Sequence, residues 1–337
     1  MAAFVGTVLA ILKDKEYKTK GIKILLDTGD IKNLRTNEVS KLKANNQLFL
    51  RNAEIYGNGY VRGKRGVTLP VELLKDNAPK LLEKIVTHTS KGMLSKGWYS
   101  IDGKTYLVKG AYKGEYNPIA EVIGSEIAYK LSGMAIKYTL DLQSKFPEIN
   151  STFKYVSICK KWELNKTMPF YKYADMTNKK EVKDYFGWAY RKFNQKQIYD
   201  LAMLLFIDAI IGNKDRHLGN FDINLDTGDL APYMDFGMSC LSDNVADLSK
   251  VKGISPDKAK PFDKTHLQQI KKVKLLLSRD KQKLKLPDIK KVVNSVLDSH
   301  KDFLMSVNEQ YYITLREYLN NRVDRFTEEM KDFIEKR

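Results

Sequence analysis

Cysteine is almost missing from this chain. Its 337 residues include two, Cys159 and Cys240, which excludes a disulfide scaffold and a cysteine-type zinc site. A reducing folding environment is the simplest reading, so a cytoplasmic protein is expected. Histidine is also scarce: His88, His217, His266 and His300 lie too far apart in sequence for a local metal cluster. Long apolar runs are absent. The longest candidates, residues 4–12 and 201–212, are broken by Gly6 and Thr7 and by Asp208. A membrane-spanning helix needs about 20 apolar residues in a row, so no transmembrane segment is expected. No basic residues precede the first run and no small-residue cleavage site follows it, so any secretion or translocation would proceed without a signal peptide.

Acidic charge falls short of basic charge, with 41 Asp and Glu against 58 Lys and Arg, a formal net charge of +17. Such a field attracts nucleic acid, anionic membranes, acidic proteins or phosphate-rich small molecules. A solvated, lysine-rich surface accounts for the same charge equally well. No helix-turn-helix, RNP or zinc motif accompanies it, so contact with nucleic acid or an anionic membrane has no motif behind it. Hydrophobic residues make up 43% of the chain, enough for a sizeable core, which excludes a wholly disordered protein. The length suits two domains or one bilobal unit, and a monomer is expected.

The first 70 residues are rich in β-prone runs, at 4–12, 21–26, 47–50 and 54–56, separated by turn signals such as Asp27-Thr28-Gly29-Asp30 and Gly57-Asn58-Gly59. The spacing of Leu73, Leu74, Leu81, Leu82 and Ile85 predicts a helix over 70–86. A Gly/Ser/Lys loop at 90–97 follows, then a hairpin through Asp102-Gly103 that ends on Lys109. Asn117-Pro118 opens a helix, with Asn117 as its N-cap and Gly133 as its end. A strand over 153–159 leads into Lys160-Lys161-Trp162, which reads as a linker. The chain thus divides into a β-rich N-terminal lobe, 1–160, and a helical C-terminal lobe, 161–337. Residues 197–211 form an apolar helix, and the stripe Tyr311, Leu315, Tyr318, Val323, Phe326 and Met330 is core packing. The basic run 271–285 is a solvated helix face.

Chemistry concentrates in 212–237. The segment reads as helix end, polar loop, strand, tight turn and strand, and it closes on Asp235-Phe236-Gly237. Asp215 precedes Asn220 by five residues, and a short hairpin could bring Asp235 to both. Phosphoryl transfer needs this set: a carboxylate for the proton of the attacking hydroxyl, and hard oxygen ligands to hold Mg²⁺ against the phosphates. Asp215 is therefore the candidate base, and Asn220 and Asp235 are the candidate magnesium ligands. His217 is a second catalytic candidate, as a base or, in its favoured role, as a residue that orients the loop. Lys109 ends a strand and precedes a helix carrying Glu121 and Glu126. A strand lysine paired with a helix glutamate places nucleotide phosphates in kinases. Glu121 is the expected partner, and Glu126 can instead be a surface charge.

Residues 213–221 and 230–235 resemble the two catalytic motifs of the HipA-like serine/threonine kinases, including their short, stand-alone bacterial members. They are also similar to the Asp-Arg-His…Asn and Asp-Phe-Gly motifs of phosphatidylinositol 3- and 4-kinases. The resemblance implies an α+β, bilobal, protein-kinase-like fold that uses ATP and magnesium. It matches 90–96 to the family's phosphate-covering loop, so Ser90, Gly92, Ser95 and Lys96 become ATP-binding candidates, and Ser90 the expected site of autophosphorylation. It matches Lys109 to the phosphate-binding lysine and 121–133 to the helix that follows. Adenine is expected at the lobe junction, near Cys159 and Lys160. Two departures stand out: the loop lacks the family's Gly-Ala-Gln-Pro/Glu-Lys wording, and Asp235 sits in Asp-Phe-Gly rather than the family's usual Tyr-Asp pattern.

The expected function is an ATP- and magnesium-dependent protein serine/threonine kinase acting on an unidentified protein substrate. The alternatives are a phosphoinositide or small-molecule kinase, and a basic, non-catalytic toxin or effector binding module.

Overall fold

The computed structural model describes residues 95–337, save 102, 113, 114 and 162–165. Before them it describes strands only: β1 (Val5–Lys13), β2 (Thr19–Leu26), β3 (Ile31–Arg35), β4 (Ala53–Tyr56), β5 (Tyr60–Gly63), β6 (Val67–Thr68) and β7 (Lys80–Ile85). The chain is mixed, with a β-sheet region followed by a helical region, and it clusters into two compact units that interleave in sequence.

One unit takes in β1–β7, Gly97–Tyr106 and Ser144–Glu148. Its four-stranded sheet has the order β3-β2-β1-β6, with β1 and β2 antiparallel from Gly6↔Leu26 to Lys13↔Thr19. β4 and β5 form a separate antiparallel hairpin. The β-prone stretches around 4–12, 21–26 and 54–56 are strands; the one at 47–50 lies outside the described residues. The helix expected over 70–86 is overturned where it can be seen. Lys80–Ile85 is a strand beside β8 (Lys96–Ile101), and Leu82 is 51% exposed. Six residues are too few for leucine spacing to separate a helix from a strand, and pairing with a neighbouring strand decided the outcome. Tyr99 packs edge-on against Phe146 at 5.0 Å and donates its hydroxyl to Glu148 at 2.9 Å.

The second unit holds most of the helices and, among the described residues, every candidate site residue. β9 (Lys104–Lys109) crosses into it at Leu107 and there lies beside β11 (Tyr155–Lys160), which pairs antiparallel with β10 (Thr139–Leu142). Against these strands packs α1 (Asn117–Ser132), which ends on Gly133 in the left-handed conformation. Asn117 is not the N-cap. It is the first helical residue, and its side chain leaves the helix to bond elsewhere.

After α1 come β12 (Thr167–Pro169), α2 (Phe170–Asn178), α3 (Tyr185–Lys192) and α4 (Gln195–Ile211). α4 is the axis of the core. Leu201, Leu204, Leu205, Phe206, Ile207, Ile210 and Ile211 are all fully buried, as the nearly all-apolar stretch 201–211 requires. It starts on a capping box, in which the Asn194 side chain accepts from the Gln197 N–H and Gln197 returns the bond. α5 (His266–Arg279), α6 (Ile289–Ser299) and α7 (Lys301–Glu329) complete the unit, with α5 and α7 against α4. α7 breaks at Asn308, whose side chain caps the second segment by accepting from Tyr311 N–H at 3.0 Å. The stripe from Tyr311 to Met330 is buried, and Lys271 on α5 faces solvent. No described helix is long and apolar enough to cross a membrane.

His266, at the start of α5, is fully buried beside Arg322 and 6.4 Å from the Phe326 ring. Burial, then the neighbouring guanidinium, push its pKa well below the usual histidine value. The unfolded chain therefore takes up a proton near pH 6.5 that the folded chain refuses. Stability from this group is present above that pH and falls on acidification, by about 1.4 kcal/mol per unit. Urea unfolding between pH 7.5 and 5 should show that slope in the wild type and lose it in His266→Phe; equal slopes would contradict it.

Candidate active site

Lys109 closes β9 with its side chain buried, a placement tolerable for an ammonium only if counter-charges are at hand. Two are. Nζ lies 2.6 Å from Oε1 of Glu121, on the second turn of α1, and 3.0 Å from Oδ1 of Asp235. The Tyr138 ring lies 5.0 Å from the same ammonium. Burial works against the charge on Lys109, but Asp235 and Glu121 outweigh it and raise its pKa well above the ordinary value. Asp235 is held well below the usual carboxylate range, because the Lys109 ammonium overcomes the opposing effect of burial. Burial pushes Glu121 up. Lys96 lies close enough to feel the same charges. Burial lowers its pKa, Asp235 opposes that and Lys109 adds to it.

α1 holds all three residues of Asp-Phe-Gly. Glu121 reaches Asp235 through Lys109, and its Oε2 accepts from the Phe236 N–H at 2.9 Å. Asn117 Nδ2 donates to the Gly237 carbonyl at 3.0 Å. This close approach needs a glycine: a Cβ on Gly124 would lie 2.9 Å from Cβ of Phe236. Asp235 itself has φ of 66°, in the left-handed region.

The loop that carries Asp215 and Asn220 leaves α4 at Gly212, whose φ is 67° and whose added Cβ would strike the Tyr318 hydroxyl. Beneath it lies a second buried ion pair. Arg216 Nε donates to Asp208 Oδ2 at 2.8 Å and Nη2 to Oδ1 at 3.1 Å, with both side chains fully buried. Arg216 Nη1 also donates to the carbonyls of Asn220, at 2.6 Å, and Met234. One nitrogen thus holds the backbone at Asn220 and at the residue before Asp235, which brings the two candidate metal ligands to one locality. Asn213 Nδ2 bonds Asp208 Oδ1 at 2.9 Å and the Asp235 carbonyl at 3.4 Å. The guanidinium also stacks 5.1 Å from the Phe236 ring.

The turn expected between loop and Asp235 is only partly a hairpin. β13 (Asp222–Asn224) pairs with β12, and the returning strand is reduced to an isolated Ile223↔Leu230 bridge. Arg216 replaces the strand ladder as the fastening.

The remaining candidates are distributed as follows. Asp215 is partly exposed, and its carboxylate takes the Lys260 ammonium at 2.7 Å. His217 is exposed, and its Nδ1 accepts from the Gly219 N–H at 3.1 Å, a bond within the loop. Asn220 Nδ2 donates to the Asp215 carbonyl at 2.8 Å, a bond that leaves its amide oxygen unused. Ser95 Oγ accepts from the Asn150 N–H at 3.0 Å. Cys159 is buried, its thiol pushed up to about 11 by burial, and Lys160 is exposed. Ser90 and Gly92 lie outside the described residues. Glu126 pairs instead with His300, at 2.9 Å, and with Lys130, at 3.1 Å. Asp208, Asn213, Arg216, Asn117 and Lys260 were not anticipated as site residues. The one available signal was Asp208, the lone acid in the apolar run 201–211, eight residues before an arginine.

Among the described residues no three His, Cys, Asp or Glu side chains cluster as a metal site. Asp235 and Asn220 offer one carboxylate and one amide oxygen. That sparse, hard set suits magnesium, which keeps waters and takes phosphate oxygens for its other positions.

The family model of phosphatidylinositol 3- and 4-kinase matches residues 114–312, more than half of the chain. The chain belongs to this family. The matched span of this kinase family includes Glu121, Asp215, Asn220 and Asp235 and begins just after Lys109. The crystal structure of the Helicobacter pylori proinflammatory kinase CtkA is similar over 73% of this chain and 92% of its own, at 18% identity and TM-score 0.51. That likeness is one of fold. A Shewanella oneidensis MR-1 complex of the toxin–antitoxin proteins HipA and HipB with operator DNA also matches, over 97% of each chain, at 12% identity and TM-score 0.35. No curated protein matches in sequence. Membership of a kinase family makes ATP the phosphoryl donor.

Truncating Asp208→Ala leaves Arg216 buried without its counter-ion and should cost about 3–5 kcal/mol in chemical unfolding. The double variant Asp208→Leu/Arg216→Met should recover part of it, because the Asn220 and Met234 carbonyls still lose their donor. A single-variant loss below about 1 kcal/mol would mean that water reaches the pair.

Proposed function

We propose that this protein is an ATP- and magnesium-dependent serine/threonine protein kinase of HipA-like type that phosphorylates itself and a protein substrate. The observation that carries the reading is the Lys109–Glu121–Asp235 ion cluster, fastened by Arg216 to the loop that bears Asp215 and Asn220. Phosphoryl transfer is mainly positioning and charge stabilisation, and this cluster supplies both.

In this mechanism Lys109 and Lys96 face the phosphates with two positive charges, while Cys159 and Lys160 border the adenine. Asn220 and Asp235 would hold the magnesium, which when bound neutralises phosphate oxygens. Asp215 accepts the proton of the attacking hydroxyl as its oxygen bonds to the γ-phosphorus, the bond to the β-phosphate oxygen breaks, and ADP leaves. His217 shapes the loop. Residues 96 and 97, expected in the loop, belong to β8; the segment ahead of that strand covers the phosphates, and Ser90 in it is the autophosphorylated residue.

The family match and the +17 charge support a second reading, a phosphoinositide kinase. Incubation with γ-labelled ATP and Mg²⁺, alone, with casein, and with phosphatidylinositol vesicles, separates the two. Label is expected in the protein, in a peptide containing Ser90, and in casein. Asp235→Ala should lose ATP·Mg²⁺ binding in calorimetry. Asp215→Ala should keep it and transfer phosphate about 10²-fold more slowly. Label in lipid alone would establish the second reading, and no label anywhere a non-catalytic module.

A further inference from the structure

The candidate base Asp215 is held by a residue that no catalytic motif contains. Its backbone is fixed: the carbonyl accepts from the His217 N–H at 2.7 Å and from Asn220 Nδ2 at 2.8 Å, and its own N–H reaches Asn213 Oδ1 at 3.3 Å. Its carboxylate is fixed differently. Among the described residues its one side-chain partner is Lys260, 45 positions further on, with Nζ 2.7 Å from Oδ1. Lys260 also lines a groove of about 640 Å³, with Tyr171, His217 and Gly219, that opens beside the catalytic loop. No carboxylate lines that groove. Asp215 is not among the lining residues, and Lys260 links its Oδ1 to the groove.

We propose that Lys260 is a positioning residue for the base, its Nζ fixing Oδ1 of Asp215 so that the arriving hydroxyl finds the carboxylate in one rotamer. The inference rests on the kinase reading of Asp215. Both side chains are partly exposed, 55% for Lys260 and 38% for Asp215. A pair so exposed adds little to stability, about 0–1 kcal/mol, so removing it leaves the fold intact. Its effect falls on geometry, where a misplaced catalytic group costs far more than the contact itself is worth. Lysine suits the task because its flexible stem can yield when the hydroxyl arrives. The proton still passes to Asp215, and Lys260 forms and breaks no covalent bond.

A double-mutant cycle on ADP release, with Mg²⁺·ATP and casein, tests it. Lys260→Met should lower kcat about tenfold or more while leaving the KM for ATP within about twofold. In an Asp215→Asn background the same change should have almost no further effect, because the group it positions has gone. Lys260→Arg should restore most of the rate. Lys258→Met, an exposed lysine two residues away, controls for bulk charge and should match the wild type. Wild-type kcat in Lys260→Met, with Asp215→Asn slow, overturns the inference and leaves the kinase reading standing. Additive losses in the double variant overturn it too. A fast Asp215→Asn overturns the kinase assignment of Asp215, and the inference with it.

Discussion

One buried ammonium, that of Lys109, is shared by the fully buried Glu121 and the partly exposed Asp235, and the rest of the site is arranged around it. Taking Lys109 and Glu121 out of water costs several kcal/mol per ion, which only close contact returns. The contacts at 2.6 and 3.0 Å provide it. They also dictate where the chain must run: β9 has to deliver Lys109, α1 has to present Glu121, and the backbone before Phe236 has to turn through a left-handed residue to bring Asp235 in. Removal of Glu121 or Lys109 leaves the other buried without its closest counter-charge. A cluster with two negative charges and one positive carries a net negative charge when the site is empty. Lys96 beside it offsets that charge, and a magnesium ion between Asp235 and the phosphates would offset it further.

The Asp208–Arg216 pair answers the same constraint one layer deeper. An arginine buried under a loop must spend its donors, and Arg216 spends them on Asp208 and on two carbonyls at the ends of the loop. The fork geometry of the guanidinium suits this task, as a lysine could not bond three groups in a plane. The two clusters meet at Phe236, whose N–H goes to Glu121 and whose ring lies under Arg216. The helical core supports the loop, because α4 is buried from Asp200 to its end, where the loop begins.

Much of this was legible in sequence, for local reasons. The apolar run of α4, the stripe of α7 and the strands at either end of the 102–103 turn follow from composition and periodicity. The five-residue spacing of Asp215 and Asn220 and the Asp-Phe-Gly triplet place the loop without any long-range information. What escaped depends on partners distant in the chain. Lys80–Ile85 is a strand because another strand lies beside it, which leucine spacing cannot reveal. Asn117 has the residue type and place of an N-cap, yet its amide bonds Gly237, 120 residues away. Asp208 breaks an apolar run for a reason that emerges only when Arg216 folds back onto it. Lys260 belongs to no motif and reaches Asp215 across 45 residues.

The central claim is that the Lys109–Glu121 pair organises the site for phosphoryl transfer, and Glu121→Gln tests it most directly. Glutamine keeps the size and the acceptor for the Phe236 N–H but removes the charge that holds Lys109. Single-turnover transfer from γ-labelled ATP should fall about tenfold or more, with circular dichroism unchanged. Transfer at the wild-type rate would contradict the account.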